Sequence, residues 1–240
     1  MNGLSLMEDM KQGALNMNQH PCNLCRKNKK MPGRGHYHWS DWGKCIRAVW
    51  FERTVGKNET ITPEDAMKLA DGHLHEALML KQIMMGGHKI THRDTKDGEI
   101  KKVDRVVVPG GMTIIVSTIG HTDGVMDDEI VIECKAVKDW AWKNKFEHGL
   151  IPPTYYGQVQ FYLHAHNKDR AFLVVKHRHT SEIMIFEIKR NHAYIARRKL
   201  ELAGVEVAIL QRMAIKVPFD APTDECRFCS FYNMCWRFGQ

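Results

Sequence analysis

No apolar run in this 240-residue chain approaches the ~18 residues that a membrane-crossing helix needs, which argues against a multi-pass membrane protein. Met1 to Asn18 lacks the apolar core of a secretory signal, because Glu8, Asp9 and Lys11 interrupt it. A cytoplasmic location is therefore expected. Internal repeats and low-complexity linkers are missing too, which excludes solenoids and collagen-like or wholly disordered chains. An acidic excess is also lacking: 35 Lys and Arg face 28 Asp and Glu, a formal net charge of +7. That balance suits a polyanion partner, most commonly nucleic acid, and equally suits a merely solvated basic surface.

What is present is ordinary for a soluble globule, with 43% hydrophobic and 26% charged residues. The length fits one large domain with appendages, able to bury roughly 70–75% of its unfolded surface. Seven cysteines in a cytosolic chain point to metal or cluster ligation more than to a disulfide framework. Residues 1–39 read as a basic N-terminal arm holding Cys22, Cys25 and the run Arg26 to Lys30, and residues 40–240 as the folded domain.

Along that domain, Ser40 opens a helical stretch carrying Cys45, Ala48, Val49 and Phe51. Thr62 is the N-cap of the next helix, with Pro63 at its first position and Asp65 placed to complete a capping box; Gly86-Gly87 ends it. Val103–Val108 and Met112–Ile119 flank Pro109-Gly110-Gly111 as a hairpin. Gly124 and Asp127-Asp128 mark the next turn, and Glu129–Ala136 is a strand rich in β-branched residues. A helix over Tyr155–His166, strands over Arg170–Lys176 and Glu182–Ile188, and a helix over His192–Met213 precede a Cys-rich tail. This order predicts an α/β (α+β) fold, a mixed central β-sheet flanked by helices.

The chemistry concentrates on the Glu129–Ala136 strand. Its period of two puts Ile130, Ile132, Cys134 and Ala136 on one face and Val131, Glu133 and Lys135 on the other. Asp123 lies ten residues before Glu133, where a neighbouring strand can bring it opposite. Two such carboxylates suit a hard cation, Mg²⁺ or Mn²⁺, and a lysine beside it can position or deprotonate an attacking water. An isolated Glu-x-Lys is more often a surface ion pair. Gly120-His121-Thr122-Asp123-Gly124 upstream, and Gln158 and Tyr162 one helical turn apart downstream, shift the balance towards a site.

Asp123, Glu133-Cys134-Lys135 and Gln158-x-x-x-Tyr162 resemble the motifs of the PD-(D/E)XK nuclease superfamily, in its RecB-type branch. The resemblance implies a restriction-endonuclease-like core in which Asp123, Glu133, Lys135, Gln158 and Tyr162 are catalytic. Metal would be held by Asp123, Glu133, the backbone carbonyl of Cys134 and a histidine on the upstream helix. Within Gly72-His73-Leu74-His75-Glu76, His75 fits that histidine because Glu76 follows it, and His73 competes.

Cys226-x2-Cys229-x5-Cys235 needs a fourth ligand for a tetrahedral zinc site or an iron–sulfur cluster. Cys45, inside Ser40-Asp41-Trp42-Gly43-Lys44-Cys45-Ile46-Arg47, resembles the entry segment of iron–sulfur RecB-type nucleases such as the AddB subunit and the CRISPR-associated exonucleases. That resemblance implies a [4Fe–4S] cluster on Cys45, Cys226, Cys229 and Cys235 that staples the chain ends. Cys22 and Cys25 stand outside the pattern. They could bind zinc with His36 and His38, remain free thiols, or join Cys226 and Cys229 in a ribbon.

The expectation is a metal-dependent DNA nuclease, an exonuclease on ends or single strands, with DNA and conceivably a helicase as partners. Arg26 to Lys30, Lys101, Lys102 and Arg105 would track the backbone, and Trp140 and Trp142 either stack on bases or pack in the core. The alternative is a non-cleaving iron–sulfur or zinc subunit of a larger recombination, repair or CRISPR complex.

Overall fold

The computed structural model describes residues 35–56, 62–92, 99–216, 218 and 222–236. Cys22, Cys25 and the run Arg26 to Lys30 lie outside the described residues. Strands β1 (Tyr37–His38), β4 (Thr113–His121) and β3 (Glu99–Val107) form one sheet in that spatial order. A second sheet has the order β2 (Ile90–Thr91), β5 (Gly124–Met126), β6 (Ile130–Val137), β7 (Arg170–His177), β8 (Ile183–Lys189). Both are mixed: β1 runs parallel to β4 and β6 parallel to β7, while the remaining pairings are antiparallel.

The single central sheet expected from sequence is thus divided in two. The division falls at Thr122-Asp123, where the chain leaves β4 of one sheet and enters β5 of the other. Short β5 is not apparent in the sequence, where Gly124 and Asp127-Asp128 read as a turn. Gly124 opens it because a Cβ would sit 2.4 Å from the Ile90 side chain of β2. Asp127 and Asp128 both adopt positive φ, 52° and 57°, in the three-residue turn Asp127-Asp128-Glu129 that leads from β5 into β6.

Helix α1 spans Ile46–Thr54, α2 Pro63–Met85, α3 Asp139–Asn144, α4 Pro153–His166, α5 His192–Leu210 and α6 Tyr232–Trp236. Thr62 caps α2 by accepting the Asp65 N–H, and α2 stops at Gly86, with Gly87 at φ 98°. Helix α2 covers one face of the second sheet, where Met79 and Leu80 pack with Met126, Ile132, Cys134 and Val174. The larger core lies on the opposite face and includes Trp42, Val131, Phe161, Leu163, Leu173, Val175 and Leu202.

The helical stretch expected from Ser40 is broken in two. A 3-10 turn over Trp39–Gly43 ends at Lys44, whose backbone is extended, and α1 begins after Cys45. Two tertiary constraints impose the break. Gly43 and Gly157 let the turn meet α4 backbone to backbone: a Cβ on Gly43 would lie 2.4 Å from the Pro153 carbonyl oxygen, and one on Gly157 2.4 Å from the Gly43 Cα. The buried Arg198 guanidinium of α5 then takes the carbonyls of Asp41 and Lys44, the latter at 2.7 Å, and Tyr194 donates to the Trp42 carbonyl at 2.7 Å. Burial opposes the charge of Asp41, yet Lys44 and His38 hold its pKa down to about 2.

Candidate active site

The seam between the two sheets gathers the acidic residues. Register pairs Gly124 of β5 with Ile132 of β6, so Asp123 arrives beside Glu133. Its Oδ2 accepts the Cys134 backbone N–H at 2.7 Å, which fixes the carboxyl against β6. Glu133 points to the other face and is fully buried at 0% exposure. Its Oε1 receives the Lys135 ammonium and the Gln158 amide N–H, whereas Oε2 has no hydrogen-bond partner.

Gln158 and Tyr162 occupy successive turns of α4, as their spacing predicts. The Gln158 amide lies 3.5 Å from the Tyr162 hydroxyl, which donates to the His121 carbonyl at the end of β4. The hydroxyl thereby ties α4 to the seam. Lys135 sits with its Nζ 5.9 Å from the Trp39 ring centroid and 5.6 Å from that of Tyr155, an aromatic collar for a half-buried cation.

Helix α2 brings its residues from the other side. Burial pushes the Glu76 carboxyl up to about 8, reinforced by the charge of Asp123 and a hydrogen bond between the two. His73, three residues earlier and so on the same side of the helix, is near enough for its imidazole to favour the Asp123 carboxylate. His75 lies elsewhere: its Nδ1 is 3.3 Å from the buried Lys176 ammonium and its Nε2 3.5 Å from Asp71 Oδ1. The rotation of α2 therefore brings His73 to the acids, together with Glu76, whose place in the sequence pointed only to His75. The His73-x-x-Glu76 spacing was the signal that could have identified both.

These acids repel one another. Burial, then Asp123, raises Glu133 to about 8, and burial raises Asp123 against the opposing pull of Lys135. Burial opposes the charge of Lys135, but Glu133 and Asp123 drive its pKa above the ordinary lysine value. Burial also raises the Tyr162 hydroxyl, with Glu133 adding to it, so Tyr162 acts as a neutral donor. Among the described residues no three His, Cys, Asp or Glu side chains converge as a finished metal cage. Lys135 pairs with Glu133, and Glu76 shares a hydrogen bond with Asp123. The donor set still fits a hard divalent cation, being oxygen-rich, half-buried at Asp123 and Glu76, and left with the unpartnered Oε2 of the buried Glu133. The Cys134 thiol packs in the core under α2.

A second cluster forms where the chain's tail returns to α1. Cys45, at the N-cap of α1, lines one cavity of about 380 Å³ with Cys226, Cys229 and Cys235. All four are free thiols. Burial raises Cys229 and Cys235, and the neighbouring cysteines add to both shifts. Phe231 stacks on Phe51 at 5.3 Å and pins the tail beside the cavity.

The remaining candidates divide. His36 is buried, and the His38 ring contacts the Ser40 hydroxyl at 3.1 Å. Their zinc-site partners Cys22 and Cys25 lie outside the described residues. Lys101, Lys102 and Arg105 lie on β3, where Lys101 and Arg105 are exposed. Trp142 is core, packed against His177, while Trp140 is exposed beside Lys145.

No family model matches the chain, and no curated protein does. Solved structures do resemble it. SSO0001 aligns over 96% of both chains at 16% identity and a TM-score of 0.56. LHK-Exo in complex with dAMP aligns over 74% of this chain and 89% of its own at 18% identity, TM-score 0.54. The alkaline exonuclease LHK-Exo from Laribacter hongkongensis gives 74%, 92%, 18% and 0.51 in the same measures. At these identities the likeness is one of fold.

Proposed function

We propose that this chain is a divalent-metal-dependent deoxyribonuclease, acting as an exonuclease on single strands or free ends. The observation that carries the proposal is the fully buried Glu133, with one carboxylate oxygen unpartnered, set between Asp123, Lys135 and Gln158. A structural ion pair has no need of an orphaned buried oxygen, which costs ~1–3 kcal/mol. The alkaline exonuclease LHK-Exo, whose structure holds dAMP, a nucleoside monophosphate, supports the same substrate class.

In this reading Asp123, Glu133, Glu76, His73 and the Cys134 carbonyl would hold Mg²⁺ or Mn²⁺. The cation supplies charge stabilisation for the phosphoryl transition state and a more acidic water. Glu76 and Asp123 would offer their carboxylate oxygens to it. Lys135, held beside Glu133, would orient the attacking water and hold or pass its proton. Gln158 keeps the Glu133 carboxylate in place, and Tyr162 keeps α4 on the seam. Trp140, exposed beside the site's strand, offers a surface for an unpaired base.

We further propose that Cys45, Cys226, Cys229 and Cys235 hold a [4Fe–4S] cluster with a structural role, joining α1 to the tail. Four thiols lining one cavity fit that group. The nuclease reading is tested with DNA labelled at either end, single- or double-stranded, with Mn²⁺, Mg²⁺ or chelator. Metal-dependent release of mononucleotides is expected; chelator-resistant cutting would overturn the metal mechanism.

A further inference from the structure

The back of α2, turned away from Glu76 and the sheet, carries an exposed apolar stripe. Met67, Leu74, Leu78 and Met85 recur at intervals of seven, four and seven residues, one line along a helix. Leu74 is 65% and Met85 78% exposed, and Met67 and Leu78 are exposed as well. Core contacts do not need them, because Ala66, Met79 and Leu80 already fill the buried side. Contiguous exposed apolar surface of this kind marks an interaction site.

The order of residues in the stripe identifies its occupant. Reversing the helix about Glu76 maps the stripe onto itself: Met67 falls opposite Met85, and Leu74 opposite Leu78. The same operation puts Asp71 opposite Lys81. Asp71 is half exposed, with one oxygen 2.9 Å from Arg178 and the other 3.5 Å from His75, so it retains acceptor capacity towards solvent. Lys81 is exposed and has no ion-pair partner among the described residues. A parallel partner would set Asp71 against Asp71 and Lys81 against Lys81; an antiparallel one pairs each with its opposite. A surface that is self-complementary under a two-fold rotation is an isologous dimer interface.

The geometry points to a second copy of this chain docking antiparallel along α2, with the two-fold axis crossing the seam at the helix level of Glu76, on the face opposite its side chain. Two Asp71–Lys81 ion pairs flank a seam of Met67, Leu74, Leu78 and Met85 from each copy, about 27 Å long at 1.5 Å per residue. The acidic pocket, on the opposite side of α2, stays open in both copies. The interface is independent of the catalytic reading, since none of its residues lines the pocket.

Sedimentation of the full chain between about 1 and 50 µM tests the docking, in the range where a specific dimer would populate. The wild-type chain should run at twice its 27.8 kDa mass. Leu74→Glu and Lys81→Glu should each weaken the dimer at least tenfold with unchanged circular dichroism. Asp71→Lys combined with Lys81→Asp should restore it. Under mild oxidation, a mixture of Leu74→Cys and Leu78→Cys chains should cross-link more than either variant alone. A wild-type monomer throughout, a dimer indifferent to Leu74→Glu, or equal cross-linking by Leu74→Cys alone would each overturn the proposal. So would a chain that dimerises only after residues 1–34 are removed, because the stripe would then belong to the chain's own arm.

Discussion

The acidic pocket and the thiol cavity differ in how the chain assembles them. Asp123 and Glu133 are brought together by adjoining strands, a three-residue turn and strand register. Their neighbours from α2 and α4 are tied in by hydrogen bonds, so the pocket is fixed before any ligand binds. The thiol cavity joins Cys45 to a segment about 180 residues later, where Phe231 of the tail stacks on Phe51. Closing so long a loop carries a chain-entropy cost that a bound cluster would offset. The comparison teaches that one site spends folding energy to crowd charges, while the other would gain folding energy from its ligand.

The largest effect expected is on chemistry at the acidic pocket. Lys135→Ala should lower cleavage by about 10²–10⁴-fold, the range for a lost proton-transfer group, with melting temperature nearly unchanged. Equal activity in the variant would make Lys135 a charge-balancing residue alone.

The two histidines come next. His73→Ala should raise the Mn²⁺ concentration for half activity by about 10–100-fold, as loss of a metal-site residue does. His75→Ala should change it little, since that ring faces Asp71 and Lys176. The reverse order would show that α2 rotates when metal binds.

At the thiol cavity the expected effect is on stability. Anaerobically purified protein should be brown, with iron and acid-labile sulfide each near about four per chain. Cys45→Ser, Cys226→Ser, Cys229→Ser and Cys235→Ser should each bleach it and lower the melting temperature by about 5 °C, the shift for about 2 kcal/mol at this size. Cys22→Ser should do neither. A colourless protein holding zinc would replace the cluster with a four-cysteine zinc site.

The smallest effect is a pH dependence. Burial raises Glu76 and Glu133 to about 8, so the folded chain keeps protons that the unfolded chain releases near the ordinary 4.5. Stability of the metal-free protein should therefore fall as pH rises from about 4.5 to about 8. Thermal melts across that range should show the decline, and Glu76→Gln should flatten it. An upward slope lost with Glu76→Gln would contradict the burial argument.

Much of this was legible in the sequence because it rests on local rules. The period of two in β6 separated Glu133 from Cys134, and Thr62, Gly86 and Pro109-Gly110-Gly111 marked element ends. The rest depends on packing between distant segments. The rotation of α2, which brings His73 and Glu76 to Asp123, is set by Met79 and Leu80 against Ile132 and Cys134. The break before Cys45 is set by Arg198, far along the chain, taking backbone carbonyls. The split of the sheet at Thr122-Asp123 follows from a change of strand partner, which composition does not encode.

The most direct test is Mn²⁺-dependent release of nucleotides from end-labelled DNA by Glu133→Gln beside the wild-type chain. The substitution keeps the shape and a hydrogen-bonding side chain but removes the buried negative charge. Loss of about 10³-fold or more in cleavage, with DNA affinity and melting temperature retained, is the expected result. Wild-type cleavage by Glu133→Gln would contradict the assignment of the pocket as the catalytic site.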